Sequence, residues 1–107
     1  MESGMTINPE GCACYLCGPY GGDALYAMAE SVLREIGAEP INPNKAYDKE
    51  SPRSNDMYAA NIMRLLKEAD ILVLLPGWEN DGKAVVERMV AKETGILVCD
   101  LSEIDGD

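Results

Sequence analysis

Two acidic residues stand six positions apart in the segment PGWENDGKAVVERMVAKE. Asp81 precedes a helical pattern, where a carboxylate commonly caps the helix, and Glu87 falls between Ala84 and Ala91 on the helix's small-residue side. Two carboxylates of different exposure beside one cavity could divide a reaction between an ionised nucleophile, Glu87, and a protonated acid, Asp81. A second interpretation remains open, in which Asp81 only caps the helix and Glu87 is a surface side chain paired with Lys83.

Two turns accompany these acids. CGPYGG and PGWENDG each follow an apolar run, although neither is the GxGxxG fingerprint of dinucleotide-binding proteins. The second turn carries Trp78, the only tryptophan of the chain. That side chain either completes the core or forms the wall of a pocket for a flat ring.

The residue types exclude several chemistries. The chain has no histidine, which excludes Ser/His/Asp and Cys/His catalysis and leaves Asp, Glu, Tyr, Lys and Cys. We expect Cys12, Cys14, Cys17 and Cys99 to be small buried hydrophobic residues. A metal site is disfavoured because Cys14 and Cys17 on a strand would point to opposite faces.

Composition indicates one small domain. The chain has 107 residues, 47% of them hydrophobic, with nine basic against nineteen acidic residues and a formal net charge of -10. This balance disfavours a nucleic-acid polymer as partner and favours a small ligand. Because no apolar run approaches a membrane span and no signal peptide is recognisable, we expect a cytoplasmic protein without a membrane partner. Residues 1–11 are predicted to be a flexible N-terminus, 12–100 the domain, and 101–107 an acidic tail.

Strand and helix patterns alternate along the chain. CACYLC, EPIN, DILVLLP and GILVC are predicted strands, and the first helix runs from an N-cap at Asp23 to a stop at Gly37. A polar loop, NKAYDKESPRSND, precedes a second helix of roughly residues 56–69. The alternation predicts an α/β fold, with a parallel sheet of four or five strands and helices on both faces. Ligands of such sheets bind beyond the carboxyl ends of the strands, where CGPYGG and PGWENDG would meet.

Apolar residues at helical spacing predict the buried stripe of each helix. The stripes contain Leu25, Met28, Ala29, Val32, Leu33 and Ile36 in the first helix, Tyr58, Ile62, Leu65, Leu66 and Ala69 in the second, and Val85, Val86, Met89 and Val90 in the third.

The motifs YLCGPYGG, INP and EADILVLLPGWENDGKAVVERMVAKETGILV together resemble the nucleoside 2-deoxyribosyltransferase-like superfamily. The resemblance covers residues 13–99 and is strongest to short, uncharacterised members with a Gly-Trp-Glu turn, of the domain of unknown function 4406 type. It implies a flavodoxin-like (Rossmann-like) three-layer sandwich. The reaction implied is cleavage between a deoxyribose and its base by double displacement, with no cofactor and no metal.

The resemblance also implies roles for individual residues. Glu87 matches the nucleophile, Asp81 the acid that protonates the base, and Tyr15 the tyrosine that orients the nucleophile. Lys83 stands where the superfamily usually has glycine. The predicted substrate-binding residues are Gly18, Pro19, Tyr20, Gly21, Asn42, Pro43, Asp70, Gly77, Trp78 and Lys83.

Two functions remain open from the sequence. The first is an enzyme that cleaves or transfers the N-glycosidic bond of a nucleoside or nucleotide, and the second is a non-catalytic module that binds or sequesters nucleotides in the same pocket. Lys45, Lys49, Arg53 and Lys83 favour a phosphate-bearing ligand under either.

We also expect a homodimer or higher homo-oligomer, because a small core gains from a partner and related sites are completed across subunits. The helix that carries Met57 and Tyr58 is the expected contact.

Overall fold

The computed structural model describes residues 6–46 and 54–104. It contains four strands, β1 (Ala13–Cys17), β2 (Glu39–Ile41), β3 (Ile71–Leu74) and β4 (Leu97–Asp100), and three α-helices, α1 (Asp23–Ile36), α2 (Ser54–Glu68) and α3 (Gly82–Glu93). Short 3₁₀ turns span Pro43–Ala46, Trp78–Asn80 and Leu101–Glu103. Lys49, Arg53 and most of the predicted polar loop lie outside the described residues.

The four strands form one parallel sheet in the order β2-β1-β3-β4. α1 packs on one face, and α2 and α3 pack on the other. The predicted α/β fold is therefore confirmed, with four strands in the described chain and an arrangement compatible with a flavodoxin-like three-layer sandwich. Strand order reverses between β1 and β3, so their carboxyl ends form the switch point where this class of sheet binds ligands.

Alternate residues of β1 belong to different halves of the core. Cys14 and Leu16 pack in the α1 half, whereas Tyr15 and Cys17 pack in the half beneath α2 and α3. The prediction that Cys14 and Cys17 point to opposite faces is confirmed, and both are free thiols. Because the side-chain period of a strand is two, Tyr15 must face α3 if its neighbours face α1.

The boundaries of α1 differ slightly from the prediction. Its N-cap is Gly22 rather than Asp23, and no side chain caps it. The Asp23 side chain instead accepts a hydrogen bond from Asn44 Nδ2 at 2.6 Å. The predicted stop at Gly37 is confirmed, since Gly37 adopts φ 94°, a left-handed conformation that glycine adopts without steric cost.

The predicted buried stripes are confirmed in part, because Ala29 and Leu33 of α1 and Leu65 of α2 are fully buried, whereas at least one predicted member of each helix is well exposed. Met28 is 45% exposed in α1, Leu66 is 42% exposed in α2, and Met89 is 56% exposed in α3. Ala84, Glu87 and Ala91 form the buried side of α3. The small alanines allow close approach to the sheet, so this side packs inward although the opposite side is more apolar.

Segments on either side of the predicted domain pack against it. The Ile7 N–H donates to the Glu103 carbonyl at 2.7 Å, and Ile7 forms a parallel bridge with Ile104. Both isoleucines contact the α1 half of the core. Residues 1–5 and 105–107 of the predicted N-terminus and tail lie outside the described residues. No helix in the described part of the chain is long and apolar enough to cross a membrane.

Gly18 directly follows β1, at a position that has no room for a side chain. A Cβ there would lie 2.8 Å from Leu75 Cβ, and the Gly18 N–H and C=O both bond to the Tyr26 hydroxyl. We expect Gly18→Ala to lower the free energy of unfolding by about 1 to 3 kcal/mol, as overpacking does. Gly82→Ala is the matched control, since a Cβ at Gly82 meets nothing within 4 Å.

Urea unfolding of both variants measures the difference. Gly82→Ala should match or exceed the parent, because alanine restricts the unfolded chain more than glycine does. Equal stability of Gly18→Ala and the parent would show that the contact with Leu75 is not as close as described.

Candidate functional site

The site is centred on Glu87, in the second turn of α3. Its side chain is 0% exposed and lies on the helix side that faces β1. The alanines at 84 and 91, one turn before and after, leave space beside it. An ionised carboxylate is costly to bury without donors, so its hydrogen bonds determine what the site can do.

The two oxygens of Glu87 have different surroundings. Oε2 accepts a hydrogen bond from the Tyr15 hydroxyl at 2.5 Å and a second, short one from the Tyr20 hydroxyl. Oε1 is buried and has no hydrogen-bond partner among the described residues. One oxygen is therefore fixed, and the other keeps its lone pairs available.

Burial raises the pKa of Glu87 to about 7, and the nearby Asp81 charge acts in the same direction. The hydrogen bonds from Tyr15 and Tyr20 favour the ionised form and limit the rise. Both protonation states of Glu87 are thus populated near neutral pH. A carboxyl group in this range can serve as a nucleophile or exchange a proton.

The neighbouring hydroxyl and thiol groups remain protonated. Burial, together with the Glu87 charge, raises the pKa of Tyr15 and of Tyr20, so each acts as a donor. Burial likewise raises the pKa of the Cys17 thiol, which donates to the Ala84 carbonyl at 3.2 Å. Cys17 is therefore an inert thiol rather than a nucleophile.

Asp81 connects the two turns of the site. Its Oδ1 accepts from the Lys83 and Ala84 N–H groups at 2.9 and 3.3 Å and caps α3. Its Oδ2 accepts from the Tyr20 N–H at 2.9 Å. The capping role predicted for Asp81 is confirmed, and the same carboxylate holds the Gly-Pro-Tyr turn against the start of α3.

Two asparagines hold the other side of that turn. Asn44 Oδ1 accepts from the Gly21 N–H at 2.6 Å, and the Asn44 N–H donates to Asn42 Oδ1 at 2.9 Å. Asn61 Nδ2 donates to the Pro43 carbonyl at 3.2 Å and lies 3.5 Å from the Tyr20 hydroxyl. Asn42 and Pro43, predicted as ligand contacts, thus lie beside the turn and help to fix it.

The PGWENDG turn lies against the first turn. Gly77 adopts φ 88°, and a Cβ there would be 3.2 Å from Pro19 Cγ. Trp78 is half-buried, with the Arg88 guanidinium 5.1 Å from its ring centre. Trp78 also lines a cavity of about 370 Å³ that extends to Asp100 at the end of β4.

Lys83 does not form the predicted ion pair with Glu87. Its ammonium lies 5.7 Å from the centre of the Tyr58 ring, and its carbonyl accepts from the Tyr58 hydroxyl at 2.8 Å. The interpretation of Glu87 as a surface side chain is wrong, because Glu87 is fully buried and bonded to tyrosine hydroxyls.

Asp70, predicted to bind substrate, is not brought to this site. It precedes β3 rather than following it, and its Oδ2 accepts from the Ala13 N–H at 2.8 Å where β1 begins. Asp70 therefore links the N-terminal ends of β1 and β3, at the sheet edge opposite to the CGPYGG and PGWENDG turns. Within residues 6–46 and 54–104, no group of three or more His, Cys, Asp or Glu side chains could hold a metal ion.

Sequence reasoning missed several residues that shape the site. Asn61 is 6% exposed within α2, where it stands three residues after Tyr58 and four before Leu65. Its spacing from Tyr58 and Leu65 places Asn61 on the buried side of α2, and a polar residue at such a position could have been recognised from the sequence as a candidate site residue. Asn44 and Tyr26 gave no such signal, because their partners are the Gly21 amide and the Gly18 backbone in a distant turn.

The fold and the site together define a parallel α/β domain with a buried carboxylate at the switch point of its sheet. The chain belongs to the DUF4406 family, a domain of unknown function, whose model matches residues 12–100. No curated protein matches the chain.

The raised pKa of Glu87 makes stability depend on pH. Below about pH 4.5 the carboxyl group is protonated in the folded and unfolded chains, and between about 4.5 and 7 it ionises only in the unfolded chain. The free energy of unfolding of the parent should therefore fall relative to that of Glu87→Gln as pH rises through this range. The total relative change should be roughly 3 kcal/mol, levelling off at higher pH.

Urea unfolding at pH 4, 5, 6, 7 and 8 measures this change. Glu79→Gln, at an exposed glutamate of the preceding turn, is the matched control and should follow the parent. A constant difference between parent and Glu87→Gln across this range would contradict the burial of the carboxyl group.

Proposed function

We propose that this protein cleaves or transfers the N-glycosidic bond of a nucleoside or nucleotide, with Glu87 as the nucleophile. One observation carries the proposal. Glu87 is fully buried at the switch point, one of its oxygens is oriented by the Tyr15 hydroxyl, and the other has no hydrogen-bond partner in the described chain. A structural glutamate would be expected to satisfy both oxygens.

The proposed reaction is a double displacement. Glu87 Oε1 attacks the anomeric carbon and forms an ester, while the bond to the base breaks and its electron pair leaves with the base nitrogen, which takes up a proton. Water or a second base then attacks the same carbon. The ester electron pair returns to Glu87, and the attacking group gives up its proton.

The roles of Tyr15 and Asp81 follow from their contacts. Tyr15 holds Oε2, which orients the carboxylate and favours its ionised form. Asp81 as donor of the base proton stays a prediction, since each of its described hydrogen bonds uses the carboxylate as an acceptor. Its contacts support a positioning role, because it fixes the Tyr20 turn against α3.

The surroundings support a nucleotide-like ligand. The cavity beside Trp78 is within the usual range for small-molecule sites and offers an aromatic wall to a flat base. It lies at the carboxyl ends of β3 and β4, and Glu87 is not among the residues that line it. Lys83, in the first turn of α3, supplies a cation close to Tyr58 and the Tyr20 turn. A phosphate bound there would gain from this charge.

The second candidate is a module that binds or sequesters nucleotides without turnover. The complete burial of Glu87 and the Tyr20 hydroxyl bonded to it favour this alternative, because a ligand reaches Oε1 only after a rearrangement.

The homo-oligomer stays a prediction. Tyr58, expected at its contact, already donates to Lys83 within the chain, while Met63, Leu66, Val86 and Met89 are exposed apolar residues of α2 and α3.

Incubation with a panel of nucleosides and nucleotides, followed by chromatographic detection of free base, tests the proposal. The parent should release base, and Glu87→Gln should lose at least about 10³-fold in rate, because its amide cannot attack the sugar. Glu35→Gln, at an exposed glutamate of α1, is the control and should retain the parent rate.

Three other results would decide between the two candidate functions or reject both. If the parent binds nucleotides in calorimetry but releases no base, the binding-module alternative replaces the proposal. If Glu87→Gln turns over like the parent, Glu87 is not the nucleophile. If the parent binds none of the panel, both candidate functions are wrong.

A further inference from the structure

A second cavity lies at the carboxyl ends of β3 and β4, next to the one that Trp78 lines. Its volume is about 240 Å³, and the two cavities share Leu74 and Asp100 as lining residues. Glu87 is not among the residues that line either cavity. The two cavities therefore form one groove apart from the buried carboxylate, which we name the β3–β4 groove.

Two cations from α3 line the smaller cavity. Arg88 and Lys92 are four positions apart, so their side chains lie on the same side of the helix. Arg88 is half-buried, with its guanidinium against the Trp78 ring. Within residues 6–46 and 54–104, no carboxylate forms an ion pair with either cation. Two such cations in one cavity provide a position for an anionic group of a ligand.

Two carboxylates line the same cavity. Asp100 ends β4, and Glu103 lies in the following 3₁₀ turn, where its Oε1 accepts from the Asp100 N–H at 2.7 Å. Burial, together with the charges of Glu103 and Asp100, raises the pKa of the Cys99 thiol in the cavity lining to about 11. A phosphate would be attracted by the cations and repelled by these acids. The lining therefore suits a ligand that carries both charges.

The larger cavity of the groove is mainly apolar. Its volume is about 370 Å³, which is large enough for a bulky side chain. An apolar group that enters it leaves water and packs against an aromatic ring, and both effects favour binding. The groove thus has a charged end and an apolar end. The apolar lining residues are Leu74, Leu75, Pro76, Trp78 and Leu101.

We propose that the β3–β4 groove binds a free α-amino acid with a large apolar side chain. The carboxylate of the ligand contacts Arg88 and Lys92, and its ammonium contacts Asp100 and Glu103. Its side chain enters the cavity that Trp78 lines. The inference does not rest on the proposed function, because Glu87 lines neither cavity. A base bound against the indole would compete with the amino acid side chain.

Isothermal titration calorimetry at neutral pH tests the inference with L-phenylalanine, L-leucine and L-methionine. Three further probes each lack one group of phenylalanine: phenethylamine lacks the carboxylate, 3-phenylpropanoate lacks the ammonium, and glycine lacks the side chain. Each contact with a charged group and the burial of the ring contribute to affinity. We therefore expect each of these probes to bind at least about 10-fold more weakly than phenylalanine.

Two variants test which side chain recognises which group of the ligand. Arg88→Gln should bind phenylalanine at least about 10-fold more weakly and should reduce its advantage over phenethylamine, because the guanidinium no longer meets the carboxylate. Asp100→Asn should instead reduce the advantage over 3-phenylpropanoate. A merely structural defect would weaken all ligands alike. The matched control is Arg64→Gln, which removes an exposed guanidinium paired with Glu68 in α2 and should retain the parent affinities.

Three results overturn the inference. The first is that none of the three apolar amino acids binds at concentrations up to about 10 mM. The second is equal affinity for phenylalanine and its two singly charged analogues, which shows that the charges of the groove recognise nothing on the ligand. The third is parent-like affinity and preference in both Arg88→Gln and Asp100→Asn, which places the ligand elsewhere. Base release is measured in separate samples without amino acid, so either proposal can fail while the other stands.

Discussion

A carboxylate that touches no water must be held by donors from its own chain. Glu87 meets this constraint through the Tyr15 and Tyr20 hydroxyls, which lie 72 and 67 positions earlier in the sequence. The contact requires β1 to be central, α3 to cross it closely, and the turn after β1 to fold back over the helix. Each of these features has an identifiable cause in the neighbouring residues.

Close approach comes from small residues. Ala84 and Ala91 line the side of α3 that meets the sheet, and Gly18 leaves β1 beneath Leu75, where a methyl group would overlap. Asp81 then uses one oxygen to begin α3 and the other to hold Tyr20. A single carboxylate therefore links the position of the helix to the position of the turn that covers Glu87.

The sequence predicted the architecture because each apolar run was short, separate and followed by an amphipathic segment. It also singled out Glu87, since alanines on both sides of an acid mark a side that packs closely. The larger apolar residues of α3 predicted the wrong buried side of this helix, because Met89 is exposed to solvent. Two tyrosines on one carboxylate oxygen could not be predicted, because that arrangement depends on strand order and on the path of a turn, neither of which residue spacing encodes.

The position of Trp78 has a practical consequence. It is the only indole of the chain, its ring contacts the Arg88 guanidinium, and it lines a cavity at the carboxyl edge of the sheet, three positions before Asp81. Indole emission responds to nearby charge and to exclusion of water. The protein therefore carries its own optical reporter, and occupancy of this edge is readable from the natural chain without an attached dye.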